Sequence, residues 1–158
     1  MTVVKHRYPV SAEALYAAIT DPDHLTERSE AAGHRNITVQ REARGEGCWI
    51  KIERDIESEI PAIAKKVVNP VNHVVTEFEW QKSGDGWTGT YRVQVNPRIR
   101  VASKLSVRPA GDGSEYVDDF KATVDVPLIG GKIAGLVESE TEKAIKIDCA
   151  WTASHLSK

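Results

Sequence analysis

The sequence predicts an α+β domain in which a curled antiparallel sheet of seven strands surrounds one long C-terminal helix, with two short helices near the N-terminus. Three observations predict it. The apolar period changes from 3.6 to 2 at His34 and stays at 2 until Pro127. Turn chemistry recurs between the alternating runs, at Gly45-Glu46-Gly47, Gly84-Asp85-Gly86, Asn96-Pro97 and Ala110-Gly111-Asp112-Gly113. Residues 128–155 then read as a single helix. Strands segregated from helices in this way indicate α+β rather than a parallel α/β sheet.

Composition sets the class. The 158 residues suit a single domain, 1–158, and carry 41% hydrophobic and 28% charged residues, an ordinary globular balance. With 21 Lys+Arg against 23 Asp+Glu the net charge is −2, which argues against nucleic acid as the main partner because phosphate binding needs a concentrated basic field. Two cysteines, Cys48 and Cys149, are too few and too distant for a disulfide scaffold. No apolar run approaches the roughly 20 residues of a spanning helix, and no signal-peptide core opens the chain. The expectation is a soluble cytoplasmic protein without an integral membrane segment.

The elements follow in order. Residues 3–8 are short and β-branched, a strand stopped by Pro9. Ser11 is an N-cap for a helix over 12–19, without the acidic third residue of a capping box. Asp21-Pro22 starts a second helix that runs to about Ala32, with Gly33 as its stop. Ile37 and Val39 alternate with Thr38 and Gln40, and residues 48–60 give the cleanest pattern. There Cys48, Ile50, Ile52, Arg54, Ile56, Ser58 and Ile60 share one face, while Trp49, Lys51, Glu53, Asp55, Glu57 and Glu59 share the wet one. Residues 61–71 fit either a short helix or a loosely paired strand. Residues 73–82, 87–96, 99–109 and 115–126 all alternate, and the helix over 128–155 spans about 42 Å.

A cavity follows from a mismatch of widths. Seven strands about 4.8 Å apart make a sheet more than about 30 Å wide, whereas a helix is about 10–12 Å across. One helix covers such a sheet only if the sheet curls. With 6% aromatics and inward positions mostly Val, Ile, Ala, Gly and Ser, the interior is either an ordinary aliphatic core or a space for a guest.

The opening Tyr8-Pro9-Val10-Ser11-Ala12-Glu13-Ala14-Leu15-Tyr16, running on to Asp21-Pro22, resembles the start of START-like (SRPBCC) proteins. Polyketide cyclases, lipid-transfer domains and the birch-pollen allergen type belong to that superfamily. Val126-Pro127-Leu128-Ile129-Gly130-Gly131-Lys132, entering the long helix, is similar to a bacterial branch known as a domain of unknown function. The resemblance spans the whole chain by element order and marks fold rather than chemistry. It implies a helix-grip fold around a hydrophobic tunnel that binds or modifies apolar molecules.

Two charges stand out of pattern. On a helical wheel Ile133, Val137, Glu140, Ala144, Ile147 and Trp151 fall within roughly 40° of one line, which puts Glu140 inside the apolar stripe. Arg54 likewise interrupts the apolar face of its strand. A buried charge is costly unless paired. Two arrangements satisfy this: Arg54 and Glu140 meet inside and orient the polar end of a ligand, or they snorkel to the rim or form a ligand-free pair. Arg41 and Asp118 are further candidates for touching ligand, each near a strand end. Phe78, Trp80 and Tyr91 read as wall residues, with Val137 and Ala144 facing them from the helix.

The histidines His6, His24, His34, His73 and His155 show no metal spacing, and Gly130-Gly131-Lys132 lacks the flanking residues of a phosphate loop. No metal or organic cofactor is expected. Acidic residues Glu53, Asp55, Glu57, Glu59, Glu77 and Glu79 and basic residues Arg92, Arg100, Lys104 and Arg108 decorate different parts of the outer sheet, as solvated faces or as a self-association surface such as a homodimer's. Ile63, Val67 and Val68 beside Lys65 and Lys66 make residues 61–71 either a lid or a plain connection. The expected function is binding or transport of a small hydrophobic molecule such as a lipid, sterol or polyketide-like compound. The alternative is a cyclase or dehydratase with Glu140 as acid/base, and a surface-acting module without a cavity is a third reading.

Overall fold

A computed structural model describes residues 2–156. Strands β1 (Thr2–Tyr8), β2 (Arg35–Arg44), β3 (Gly47–Glu57), β4 (Val71–Ser83), β5 (Gly86–Asn96), β6 (Ile99–Ala110) and β7 (Gly113–Val124) form one antiparallel sheet in the order β1-β7-β6-β5-β4-β3-β2. Strands β2 to β7 are successive hairpins. The chain must therefore cross from one sheet edge, β1, to the other, β2. Helices α1 (Ala12–Ile19) and α2 (Pro22–Ala31) make that crossing, and α3 (Gly130–Leu156) lies along β7 and β1. This is the α+β helix-grip arrangement.

Local chemistry fixes the helix ends. The Ser11 hydroxyl accepts from the Ala14 amide at 3.1 Å and the Asp21 carboxylate from the His24 amide at 3.1 Å, so both N-termini are capped by short oxygen-bearing side chains. Gly33, at φ +85°, closes α2: its amide donates to the Glu30 carbonyl and that of His34 to the Ser29 carbonyl. Only the left-handed backbone, which glycine adopts without a Cβ penalty, brings both amides round.

Several boundaries differ from expectation, β4 and β7 each starting two residues early. β3 stops at Glu57, because Pro61 lacks an amide and the chain must turn back to β4 there; the last tie is the Ser58 amide to the Pro70 carbonyl at 2.8 Å. Residues 61–71 contain only a single 3-10 turn, Ala62–Ala64. α3 begins at Gly130 rather than residue 128, since Leu128 takes a left-handed φ of +68° that no α-helix contains, with its side chain fully exposed.

The core lies on the concave face of the sheet. Leu15 and Leu25 from the short helices meet Ile50, Ile52, Val107 and Phe120 from the strands. Tyr16 stacks on Trp87 (ring centroids 4.3 Å, 8°) and meets Trp80 edge-on at 5.9 Å, which docks α1 on the sheet. Trp80 in turn lies across Gly89, where a Cβ would fall 2.8 Å from the indole. Glycine is required there because the ring occupies that space.

The long helix corrects the wheel. Its inward positions are Ile133, Val137, Thr141, Ile145, Cys149 and Thr152, mostly in steps of four rather than 3.6 residues. The covered face turns along the helix because its partner changes. The N-terminal half is pinned to the sheet edge through Glu138, which accepts from the Ala122 amide (3.1 Å) and the Thr2 hydroxyl (2.8 Å). The C-terminal half packs on α2, through Thr152 to His24 (3.0 Å) and Trp151 against the His24 ring. Glu140 and Ala144 consequently point to solvent, and Glu140 pairs with Lys143 at 3.1 Å. Cys149 is buried.

Candidate functional site

Strand register gathers most of the sequence candidates. Arg41, Ile50, Phe78, Tyr91, Ser103 and Phe120 are successive partners from β2 to β7 and form one transverse row on the concave face. Trp80, Gly89, Leu105 and Asp118 form the next. Phe78 and Tyr91 meet with ring centroids 5.4 Å apart. Arg41 is exposed at the sheet edge, beside a cleft of about 290 Å³ shared with Tyr16, Thr20 and Pro22. A second cleft of about 430 Å³ lies between α2 and β2, lined by Thr26, Glu30, His34 and Ile37. Both are open surface clefts, and no residue of α3 lines either.

Asp118 is the centre of a hydroxyl cluster. It is 1% exposed and accepts from Ser103 Oγ (2.5 Å), Tyr91 Oη (3.2 Å) and Tyr116 Oη (3.2 Å). Burial lifts its carboxyl to about 6, and the three hydroxyls limit the rise by stabilising the anion. The same burial, with the Asp118 charge beside them, holds the Tyr91 and Tyr116 phenols protonated far above the ordinary tyrosine range. The group is a compact acid surrounded by donors, able to orient a polar atom or exchange a proton near neutrality.

Arg54 occupies a second polar centre, one without an acid in hydrogen-bond range. Its Nη1 donates to Ser29 Oγ at 2.9 Å, while its Nε is buried with no partner among the described residues. Burial pulls its guanidinium down to about 10; Asp148 supports the charge and Arg28 opposes it. Arg28 Nε stands 3.7 Å from Asp148 Oδ2, an ionic approach beyond hydrogen-bond range, and is likewise buried and unpartnered. His34 is pushed down to about 4 by burial and by the Arg54 charge, and is neutral at pH 7. Arg54 and Glu140 do not meet: the expected pair is absent because Glu140 faces solvent.

The middle of α3 is only partly buried. Between Ile133 and Cys149 no residue of α3 is fully buried; Val137, Thr141 and Ile145 keep accessible surface although they face the sheet. So do Phe78, Val93 and Tyr116 opposite. Arg54 and Tyr116, on the same concave face, are likewise only half-buried.

Sequence reasoning missed Ser29, Arg28, Ser103, Tyr116 and Asp148. The spacing of Leu25, Arg28 and Ser29 places them on one helical face, a signal present in the sequence. Asp148 had none, because its facing depends on how α3 changes partner.

The sequence pattern of a family described as "Protein of unknown function (DUF2505)" matches residues 3–156. The chain belongs to the DUF2505 family. None of the curated proteins matches it by sequence. Solved structures share the DUF2505 chain's fold at low identity. TTHA0849 from Thermus thermophilus superposes with a TM-score of 0.70 at 12% identity, covering 99% of both chains. A START superfamily protein from Mycobacterium smegmatis gives 0.60 at 15%, covering 98% of this chain and 97% of its own. A STAR-related lipid transfer protein from Xanthomonas axonopodis gives 0.59 at 17%, covering 99% and 85%. The DUF2505 chain is thus START-like in fold. Among its described residues no group of His, Cys, Asp or Glu is placed to hold a metal ion, and no helix is long and apolar enough to cross a membrane.

Proposed function

We propose that this protein binds a small hydrophobic molecule between the concave sheet and α3. The observation that carries the reading is the helix held at both ends and only partly buried between Ile133 and Cys149, over apolar side chains that keep accessible surface. Phe78, Tyr91, Val93, Val137 and Ile145 supply the wall, and Arg54 supplies a polar contact. Affinity comes from apolar burial, at about 25 cal/mol per Å² before association costs. The START-like fold supports the same reading, since one of the similar structures is a STAR-related lipid transfer protein. A cyclase or dehydratase working through Glu140 loses its residue, because an exposed carboxylate paired with Lys143 cannot act inside.

Native mass spectrometry of freshly purified protein is the direct test. The expected result is a co-purified small molecule, or binding of at least one compound in a thermal-shift screen of fatty acids, sterols, flavonoids and aromatic polyketides. A protein that carries nothing and is stabilised by none of them is not a hydrophobic-ligand binder.

A further inference from the structure

We propose that the molecule bound under α3 is an amphipathic acid whose carboxylate docks between Arg54 and Arg28. This rests on the hydrophobic-ligand reading and narrows it to one class of ligand. The charge of Arg54 has no ion-pair partner among the described residues. Two guanidinium groups, Arg28 and Arg54, lie in the interior beside a single carboxylate, Asp148, which hydrogen-bonds neither of them. Asp118, a further interior acid, is taken up by Tyr91, Ser103 and Tyr116. Arg54 has one hydrogen bond, to a neutral hydroxyl, and both Nε–H groups are buried without an acceptor among the described residues.

A guanidinium presents its donors in a fork that matches a carboxylate, so one anionic group satisfies the charge and the orphaned donors together. A neutral ligand head or a second hydroxyl meets the donors and leaves the charge. Thr76 Oγ1, buried and unpartnered on the neighbouring strand, adds a hydroxyl donor near the same end of the sheet. The apolar body of the ligand then extends from Arg54 along the concave rows toward Phe78 and Tyr91. Positive charge at one end and an aromatic wall beyond it specify an acid with a hydrophobic tail or ring.

Matched pairs of ligands test this on the wild-type protein. Dodecanoate is titrated against dodecan-1-ol, and 2-naphthoate against 2-naphthalenemethanol, at pH 8 by calorimetry. The expected result is that at least one acid binds about tenfold or more tightly than its alcohol, the scale of a charge-assisted hydrogen bond. Arg54→Gln removes that preference and leaves alcohol binding within about twofold, while Arg54→Lys retains part of it. If Arg54→Gln does not fold, the wild-type ratios alone decide. Acids and alcohols binding equally overturn the acid assignment and leave the hydrophobic-ligand reading intact. Binding of none of the four compounds, with none in the broader screen, removes both.

Discussion

Asp118 lies where an aspartate is costly, 1% exposed and bonded only to neutral hydroxyls, so burial lifts its carboxyl from 3.8 to about 6. The folded pKa is raised, so the folded state holds the proton more tightly than the unfolded chain. The associated stability is complete below about pH 4 and is lost as pH rises through 6. Asp118→Asn removes that titration. The stability of the variant minus that of wild type is expected to climb by on the order of 2–3 kcal/mol between pH 4 and pH 8, read by urea unfolding at each pH. A flat difference contradicts the buried-acid account. Asp118 was legible from alternation along its strand, since it shares a face with Tyr116 and Phe120. Its hydroxyl partners were not, because Tyr91 and Ser103 reach it only through the register of three strands.

At the scale of elements, α2 carries more of the interior than its length suggests. It donates Arg28 and Ser29 to the polar centre and ties α3 through His24, whose Nε2 lies 3.0 Å from Thr152 Oγ1. Burial, aided by the Arg28 charge, pushes His24 down to about 4. Here the sign is opposite to that of Asp118: the neutral ring fits the folded state. The contribution is complete above pH 6.5 and is lost as pH falls toward 4. His24→Gln is therefore expected to flatten the acid limb of stability between those values, measured as the change in urea midpoint with pH. A variant whose acid limb matches wild type places the sensitivity elsewhere. The strands, caps and turns of this fold were readable because alternation and short-range capping are local. The phase of α3 was not. A wheel drawn for one straight partner put Glu140 and Ala144 inward, whereas the helix leaves β7 for α2 partway along and carries its covered face round with it.

For the whole molecule, what matters is that the grip closes at two places. Glu138 holds one end of α3 to β7 and β1; Thr152 on His24 and the Tyr8 hydroxyl on the Cys149 carbonyl (3.4 Å) hold the other. Between them, from Ile133 to Cys149, no residue of α3 is fully buried. A filled core and a held-open one respond oppositely to added bulk. In a core packed to native density, enlarging an inward side chain costs about 1–3 kcal/mol through strain. Ile145 is half-buried and packs against the core from the middle of α3; on the hydrophobic-ligand proposal, the added ring of Ile145→Phe enters the space of the guest. The melting temperature is then expected to hold or rise, because apolar surface is covered without displacing neighbours. Binding of the ligand found by mass spectrometry is expected to fall by about tenfold or more, since the same volume is lost to it. Destabilisation by the full overpacking cost, with binding unchanged, shows instead that the interior is solid at that point and that any guest sits elsewhere.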